Sequence, residues 1–491
     1  MISVNFLDPI QGIARDRKWM TSVFILTLIY ALGISAVLRA NFYYIDDMGR
    51  ALWGSKEWYY FSMYIPQYFS TILHADSHLT DVSPLPQLLA VVIVAISAAI
   101  VLRVVTERNH FTFIEYVSMV PLGLSPYFLE CLSYKYDSPY MALSILASVV
   151  PVLFYRSNAW TYLISIVLGM IVVCLSYQAA SGIFPMLVVL LVLKMWNQKA
   201  EMKEMIRFIL ISAGGYLAGM LIFVLFLMRP TDVYVSNTVP SVMEMIPLAG
   251  YHLKKYYYYV ITDFKKEWLV MIALLCVGFL YVTVRNSKQK WIHALLMGFV
   301  VLGMFLVMAF GLYPVLKQPG FEPRAMYGFG ACLCFIALYT VSQNHSRLAK
   351  LVCLALCWCF FVFGFTYGNA LYAQKTYTDY RISAVIDDLD ELDVLDTDYD
   401  KIYQINGSIG RAPEIEGMPQ DYQMLNRLVP ITFGDSSWEW ARFGFTKYYR
   451  LKNVEWDTSI DLRDYNLPLL EESVYHTIWG DSQYILIELK W

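Results

Sequence analysis

Two carboxylates stand side by side at Asp46 and Asp47, with a guanidinium at Arg50 and an indole at Trp53. They follow closely on a long apolar run, Trp19 to Leu38, which places them near a membrane surface if that run spans. Charges in such a place are costly unless they are paired or used. A partly desolvated carboxylate has a pKa suited to taking a proton from a hydroxyl, the step a glycosyl transfer needs. Adjacent residues on a helix point about 100° apart. One carboxylate can therefore face a substrate while the other binds Arg50 or caps a helix, and Asp47 is the favoured base. The plainer alternative is a capping pair at the surface.

Two further stretches carry chemistry-bearing types. In Cys131 to Tyr140, Tyr134, Lys135 and Asp137 lie in a loop of about ten residues between two apolar runs, which keeps them close to the membrane. Asp137 stands just ahead of Ser138-Pro139, so it also suits the N-cap of the next helix. Arg324 precedes the run that starts at Met326. It can snorkel at the interface or clamp a lipid phosphate, whose oxygens match its planar fork. Trp58, Tyr59, Tyr60, Tyr64 and Tyr68 read first as an aromatic belt, and Lys56–Leu73 suits an amphipathic helix lying in the interface. Tyr251 to Tyr259, with Lys254 and Lys255, reads as an interfacial anchor. There is no Gly-x-Ser-x-Gly, His-Glu-x-x-His or P-loop pattern, so hydrolase and ATPase chemistry have no support.

The elements that must hold these residues are membrane helices. The chain is 58% hydrophobic and 16% charged, against about 45–50% and about 25% in soluble domains. Eleven apolar runs are long enough to span, or nearly so: Trp19–Leu38, Leu85–Leu102, Phe113–Leu129, Tyr140–Phe154, Trp160–Leu175, Ile183–Leu193, Phe208–Leu227, Trp268–Val284, Ile292–Leu312, Met326–Val341 and Leu351–Tyr367. The fourth and sixth are short. No cleavable signal is evident ahead of the first. With the N-terminus inside, basic residues are roughly 2.5 times denser in the inner segments than in the outer loops. This predicts a cytoplasmic N-terminus, with the first outer loop, 39–84, and everything after Tyr367 outside. The inner segments leave no room for a nucleotide-binding unit, so an activated donor has to be lipid-borne. A net charge of −3 implies nothing about nucleic acid, but no basic stripe of the kind such binding needs is present, so no nucleic-acid partner is expected. The eight cysteines lack ligand partners at metal spacing and read as buried, inert thiols.

The chain thus divides into a transmembrane catalytic region, 1–367, and a small extracytoplasmic α/β domain, 368–491. Ser383 to Asp400 is acidic, with Val385, Ile386, Leu389 and Leu392 at helical spacing, and reads as a solvated helix face. Val474–Trp479 and Gln483–Leu489, joined at Gly480-Asp481, predict a β-hairpin.

Asp46-Asp47-Met-Gly-Arg50 together with Ser133-Tyr-Lys-Tyr-Asp-Ser-Pro-Tyr-Met-Ala142 resembles the GtrII-type serotype-converting O-antigen glucosyltransferases of Gram-negative bacteria and their phages. The resemblance covers the membrane region to about residue 370. It implies a GT-C-like fold in the bacterial inner membrane, a polyprenyl-phosphate-glucose donor, and an O-antigen (lipopolysaccharide) sugar as acceptor on the periplasmic side. A flippase and a synthase that supply the glucosylated lipid are implied as partners. The class is typically inverting, so Asp46 or Asp47 would act as base, with Arg324, Lys135 and Arg50 stabilising the departing phosphate. Such a leaving group carries charge well, and no metal or other cofactor is expected.

Two other readings use the same residues. A lipid-linked oligosaccharide transporter or flippase would place ionisable groups within its spans, where only Glu115 and His293 occur, near span ends. An O-antigen polymerase would take an oligosaccharide-lipid donor instead.

Overall fold

The computed structural model describes residues 16–229, 240–343, 346–395, 401–434, 440–448, 454–456 and 460–491. Each of the eleven apolar runs folds as helix, but not always as one helix. Among the described residues, seven helices are long and apolar enough to cross a membrane, from Leu85–Thr106 to Arg347–Glu391. Three others, Phe113–Leu124, Ser138–Phe154 and Gly328–Gln343, are apolar but shorter. The first run breaks at Ile34 into Arg17–Gly33 and Ser35–Ala40. The third becomes Phe113–Val117, Val120–Leu124 and Pro126–Ser133. Pro121 and Pro126 cause this, because a proline lacks the N–H a helix interior needs and fits only a first turn. Apolar length alone therefore predicts more uninterrupted long helices than the described residues form.

The Arg347–Glu391 helix has 45 residues, about 68 Å at 1.5 Å per residue. That is more than twice the ~30 Å of a bilayer's hydrocarbon core, so the helix serves both parts of the chain. It runs without a break through residue 367, where the hydropathy drops. Midway it meets Ser35–Ala40 closely. A methyl on Gly368 would lie 2.4 Å from the backbone of Ala36, so only glycine permits this contact. Its last turns bury Ile382, Val385 and Leu389 against Tyr403, Ile478, Ile485 and Ile487. Asp387, Asp390 and Glu391 stay exposed, which is the amphipathic pattern expected from the acidic stretch. Asp396, Asp398 and Asp400 lie outside the described residues.

The predicted hairpin forms, as β4 (His476–Gly480) antiparallel to β5 (Tyr484–Leu489). It belongs to a five-stranded mixed sheet that also contains β1 (Lys401–Gly407), β2 (Val454–Trp456) and β3 (Leu469–Glu472), in the order β2-β1-β5-β4-β3. β1 runs parallel to both β2 and β5. This unit sits on the loops at one end of the helical bundle. Tyr44 donates its hydroxyl to the Leu428 carbonyl at 3.0 Å, and Trp53 meets Phe443 edge-on with centroids 4.4 Å apart. Arg427 pairs with Asp263 and donates to the Phe321 carbonyl. The predicted interfacial segment Lys56–Leu73 is a short 3-10 turn, Trp58–Phe61, followed by the helix Tyr64–Leu73, with Tyr68, Phe69 and Ile72 exposed. Tyr251–Tyr259 lies within the helix Val242–Asp263, where Tyr251 and Tyr258 are exposed while Tyr256 is buried against Phe310 and Phe321. All eight cysteines are free and buried or half-buried.

Candidate active site

The first helical run ends at Asn41, which takes the left-handed conformation (φ 46°), a role Asn fills more readily than most residues. Four residues on, Ile45 has φ 49°. For a β-branched side chain this is a strained conformation, and such strain persists where surrounding contacts fix it. The consequence is that the two carboxylates separate. Asp46 is exposed, whereas Asp47 is fully buried.

Asp47 works as a strut. Its Oδ2 accepts the backbone N–H of Tyr44 and that of Lys135, each at 3.0 Å. Burial raises its pKa well above the usual carboxylate range, against the lowering effect of those two N–H groups. The aqueous face is left to Asp46, so the sequence preference for Asp47 as the reactive member meets a carboxyl already enclosed by protein.

Arg50 lies one turn on, in the helix Asp47–Trp53. Its guanidinium stacks 4.1 Å from the Trp58 ring, donates to the Lys56 carbonyl at 2.7 Å, and faces Asp137 at 3.4 Å. Trp58 Nε1 donates to the same Asp137 carboxylate. Asp137 does occupy the N-cap position of the helix Ser138–Val149, but its side chain makes no capping bond because Arg50 and Trp58 hold it. Burial raises its pKa and Arg50 opposes that rise. From the short turn Pro323–Ala325, Arg324 donates its backbone N–H to Glu130 at 2.6 Å and its Nη1 at 2.8 Å. Both cations are thus pinned by buried acids and keep a fixed orientation.

These groups surround one cavity of about 260 Å³, just under the roughly 300–1,000 Å³ of typical small-ligand sites. Asp46, Arg50, Tyr134, Asp137 and Arg324 all line it. Trp58, Tyr140, Ser176, Gln178 and Glu322 line it too, and none was singled out for chemistry from sequence. Trp58 was indistinguishable from the interfacial aromatic belt. Glu130 had a usable signal, since an acid at the end of an apolar run needs a nearby cation. Buried side-chain atoms without a hydrogen-bond partner among the described residues gather here: the Tyr134 and Tyr140 hydroxyls and Ser176 Oγ. Each such atom costs about 1–3 kcal/mol, and their convergence on one concave wall marks it as built for a polar ligand.

Asp47, Trp53 and Lys135 do not line the cavity. Lys135 is 2% exposed; its Nζ bonds Asp81 at 2.9 Å and lies 3.7 Å from the Tyr43 ring centroid. Trp53 carries the contact with Phe443.

The family described as glucosyl transferase GtrII matches residues 35–335, a range that contains every residue lining the cavity. An uncharacterized 55.3 kDa protein in the gtrB 5' region of Salmonella phage P22 is 22% identical over 464 residues, covering 90% of this chain and 93% of that protein. No solved structure matches the chain.

Proposed function

Because the chain belongs to the GtrII glucosyl transferase family, we propose that it moves glucose from a polyprenyl-phosphate donor to a hydroxyl of an O-antigen sugar, at the periplasmic face of the bacterial inner membrane. The observation that carries this reading is the convergence of an exposed carboxylate, Asp46, with two fixed guanidinium groups, Arg50 and Arg324, on one sugar-sized cavity. Asp46 takes the proton of the acceptor hydroxyl. The freed oxygen bonds to the anomeric carbon as the bond from that carbon to the phosphate oxygen breaks, with inversion. The leaving phosphate takes up the charge and faces Arg324 and Arg50, which need no reorganisation because Glu130 and Asp137 already hold them. Asp47 is assigned a positioning role.

A lipid-borne donor is supported by a second feature. Gln178 and Tyr313 line the cavity, and immediately beyond them Gly182 and Leu312 begin an apolar groove of about 490 Å³. The groove runs down between the helices Ile183–Asn197, Met202–Ile222 and Trp291–Met308 as far as Leu193. At 1.5 Å per residue that is roughly 16 Å of apolar wall, suited to the first isoprene units. In this reading the chain crosses the membrane eleven times with its N-terminus in the cytoplasm. The C-terminal domain then stands in the periplasm, and a synthase and a flippase supply the donor. The test is Asp46→Asn in cells, with O-antigen glucosylation read from the glycan. Loss of glucose is expected, and full retention overturns the assignment.

A further inference from the structure

Only one hydroxyl of a polysaccharide reacts, and a cavity of about 260 Å³ leaves the neighbouring sugars to be held elsewhere. A second cavity, of about 390 Å³, meets the catalytic one along the chain at Ser133-Tyr134: Ser133 lines it, while Tyr134 lines the catalytic one. Their Cα atoms are about 3.8 Å apart, and the five residues from Asn41, on the wall of the second cavity, to Asp46 span at most about 17 Å. The two cavities are therefore within reach of one short run of sugar rings.

The walls of the second cavity are those of a hydroxyl-binding site. Asn41, Asp81, Ser83 and Gln87 supply amide, carboxylate and hydroxyl groups, and Phe42 adds an aromatic edge. Gln87 is 5% exposed, and its Oε1 has no hydrogen-bond partner among the described residues. A buried amide in that state is expensive, and it lies one turn into the helix Leu85–Thr106, where an apolar residue would serve packing better. No basic side chain lines it: Lys135 is committed to Asp81 and the Tyr43 ring, and Arg39, next to the lining residue Leu38, donates to Asn369, so the lining itself presents a carboxylate and no positive charge. That disfavours a phosphate headgroup and favours neutral sugars.

We propose that this second cavity, walled by Asn41, Asp81 and Gln87, is an acceptor subsite that binds neutral sugar residues flanking the one glucosylated. The proposal rests on the glycosyltransferase reading above. It is tested with the whole chain in proteoliposomes, using polyprenyl-phosphate-glucose and two acceptors: O-polysaccharide of several repeats, and a single-sugar glycoside, which cannot reach both cavities. Gln87→Leu removes the amide at near-constant volume. Asn41→Gly removes the other while tolerating the left-handed backbone. Each variant is expected to raise KM for the polysaccharide roughly five- to tenfold, the loss of one neutral hydrogen bond. The donor KM, kcat and the KM for the short acceptor should stay unchanged, which also reports intact folding. An unchanged polysaccharide KM overturns the subsite. So does an equal loss with the short acceptor, or a rise in the donor KM, which would point to a lipid headgroup. Asp46→Asn in the same assay separates the two ideas, since retained transfer there defeats the catalytic reading and not the subsite measurement.

Discussion

The backbone N–H of Lys135 donates to the carboxylate of Asp47 at 3.0 Å, across 88 residues of sequence. This bond fixes the first loop against the second and leaves Asp46 as the member of the pair that faces the cavity.

Asp46 and Asp47 should therefore fail in different ways when replaced. Asp47→Ala strands two buried N–H groups, at about 1–3 kcal/mol each, and should lower stability by about 2–4 kcal/mol. Asp46→Asn, at an exposed position, should change stability by no more than about 0.5 kcal/mol while cutting transfer about 10²–10⁴-fold. Thermal unfolding in detergent, paired with a transfer assay, separates them. A stable, fully active Asp46→Asn together with a stable but inactive Asp47→Asn would reverse the roles.

Asp81 predicts a pH dependence. Burial alone would raise its pKa, but hydrogen bonds from Lys135, Ser83 and Tyr43 outweigh it and hold the carboxyl down to about 2. A depressed carboxyl contributes stability that is present above its unfolded value, near 4, and is lost as pH falls through the folded value. Discounted for its partial exposure, the contribution is about 1–1.5 kcal/mol. Asp81→Asn should remove that part of the acid sensitivity between pH 4 and 2, measured as Tm against pH. Parallel curves for the two proteins would contradict the assignment.

How much of this was legible in sequence depended on the range of the interaction. Apolar runs mark helices because each segment meets lipid or core locally, and the hairpin at Gly480-Asp481 is equally local. The parallel pairing of β1 with β5 joins Ile402 to Tyr484, and no short-range pattern announces it. The end of hydropathy at Tyr367 looked like a boundary, yet helicity continues because the next turns trade lipid for the sheet's apolar face. The acidic pair stood out by composition. Which member faces the cavity is set by the φ of Ile45 and by a bond from Lys135, neither of which spacing reveals. Asp137 looked like a cap, and only its contacts with Arg50 and Trp58 show why it does not act as one.

Arg427 should couple the C-terminal domain to catalysis. It ties Asp263, itself bonded by Tyr127 at 3.0 Å, to the Phe321 carbonyl, three residues from Arg324. Arg427→Met leaves Asp263, at 4% exposure, without a cation and should cost about 3–5 kcal/mol. The loop that presents Arg324 should loosen, raising the donor KM. A variant that loses stability with unchanged kinetic constants would restrict Arg427 to a structural role.

Arg324 and Glu130 provide the sharpest separation of stability from chemistry. Glu130 is 1% exposed, and Arg324 is its only ion-pair partner among the described residues. Arg324→Met should thus destabilise the fold by about 3–5 kcal/mol, because a buried carboxylate is left without a cation. Adding Glu130→Gln neutralises that charge, and the double variant should recover most of the lost stability. Transfer should not recover, because the cation facing the departing phosphate is still missing, a loss of about 10²–10³ in kcat. Measuring Tm and kcat across the four proteins of this cycle decides the matter. If activity returns together with stability, Arg324 serves the fold alone, and the charge on the leaving group must be met by Arg50.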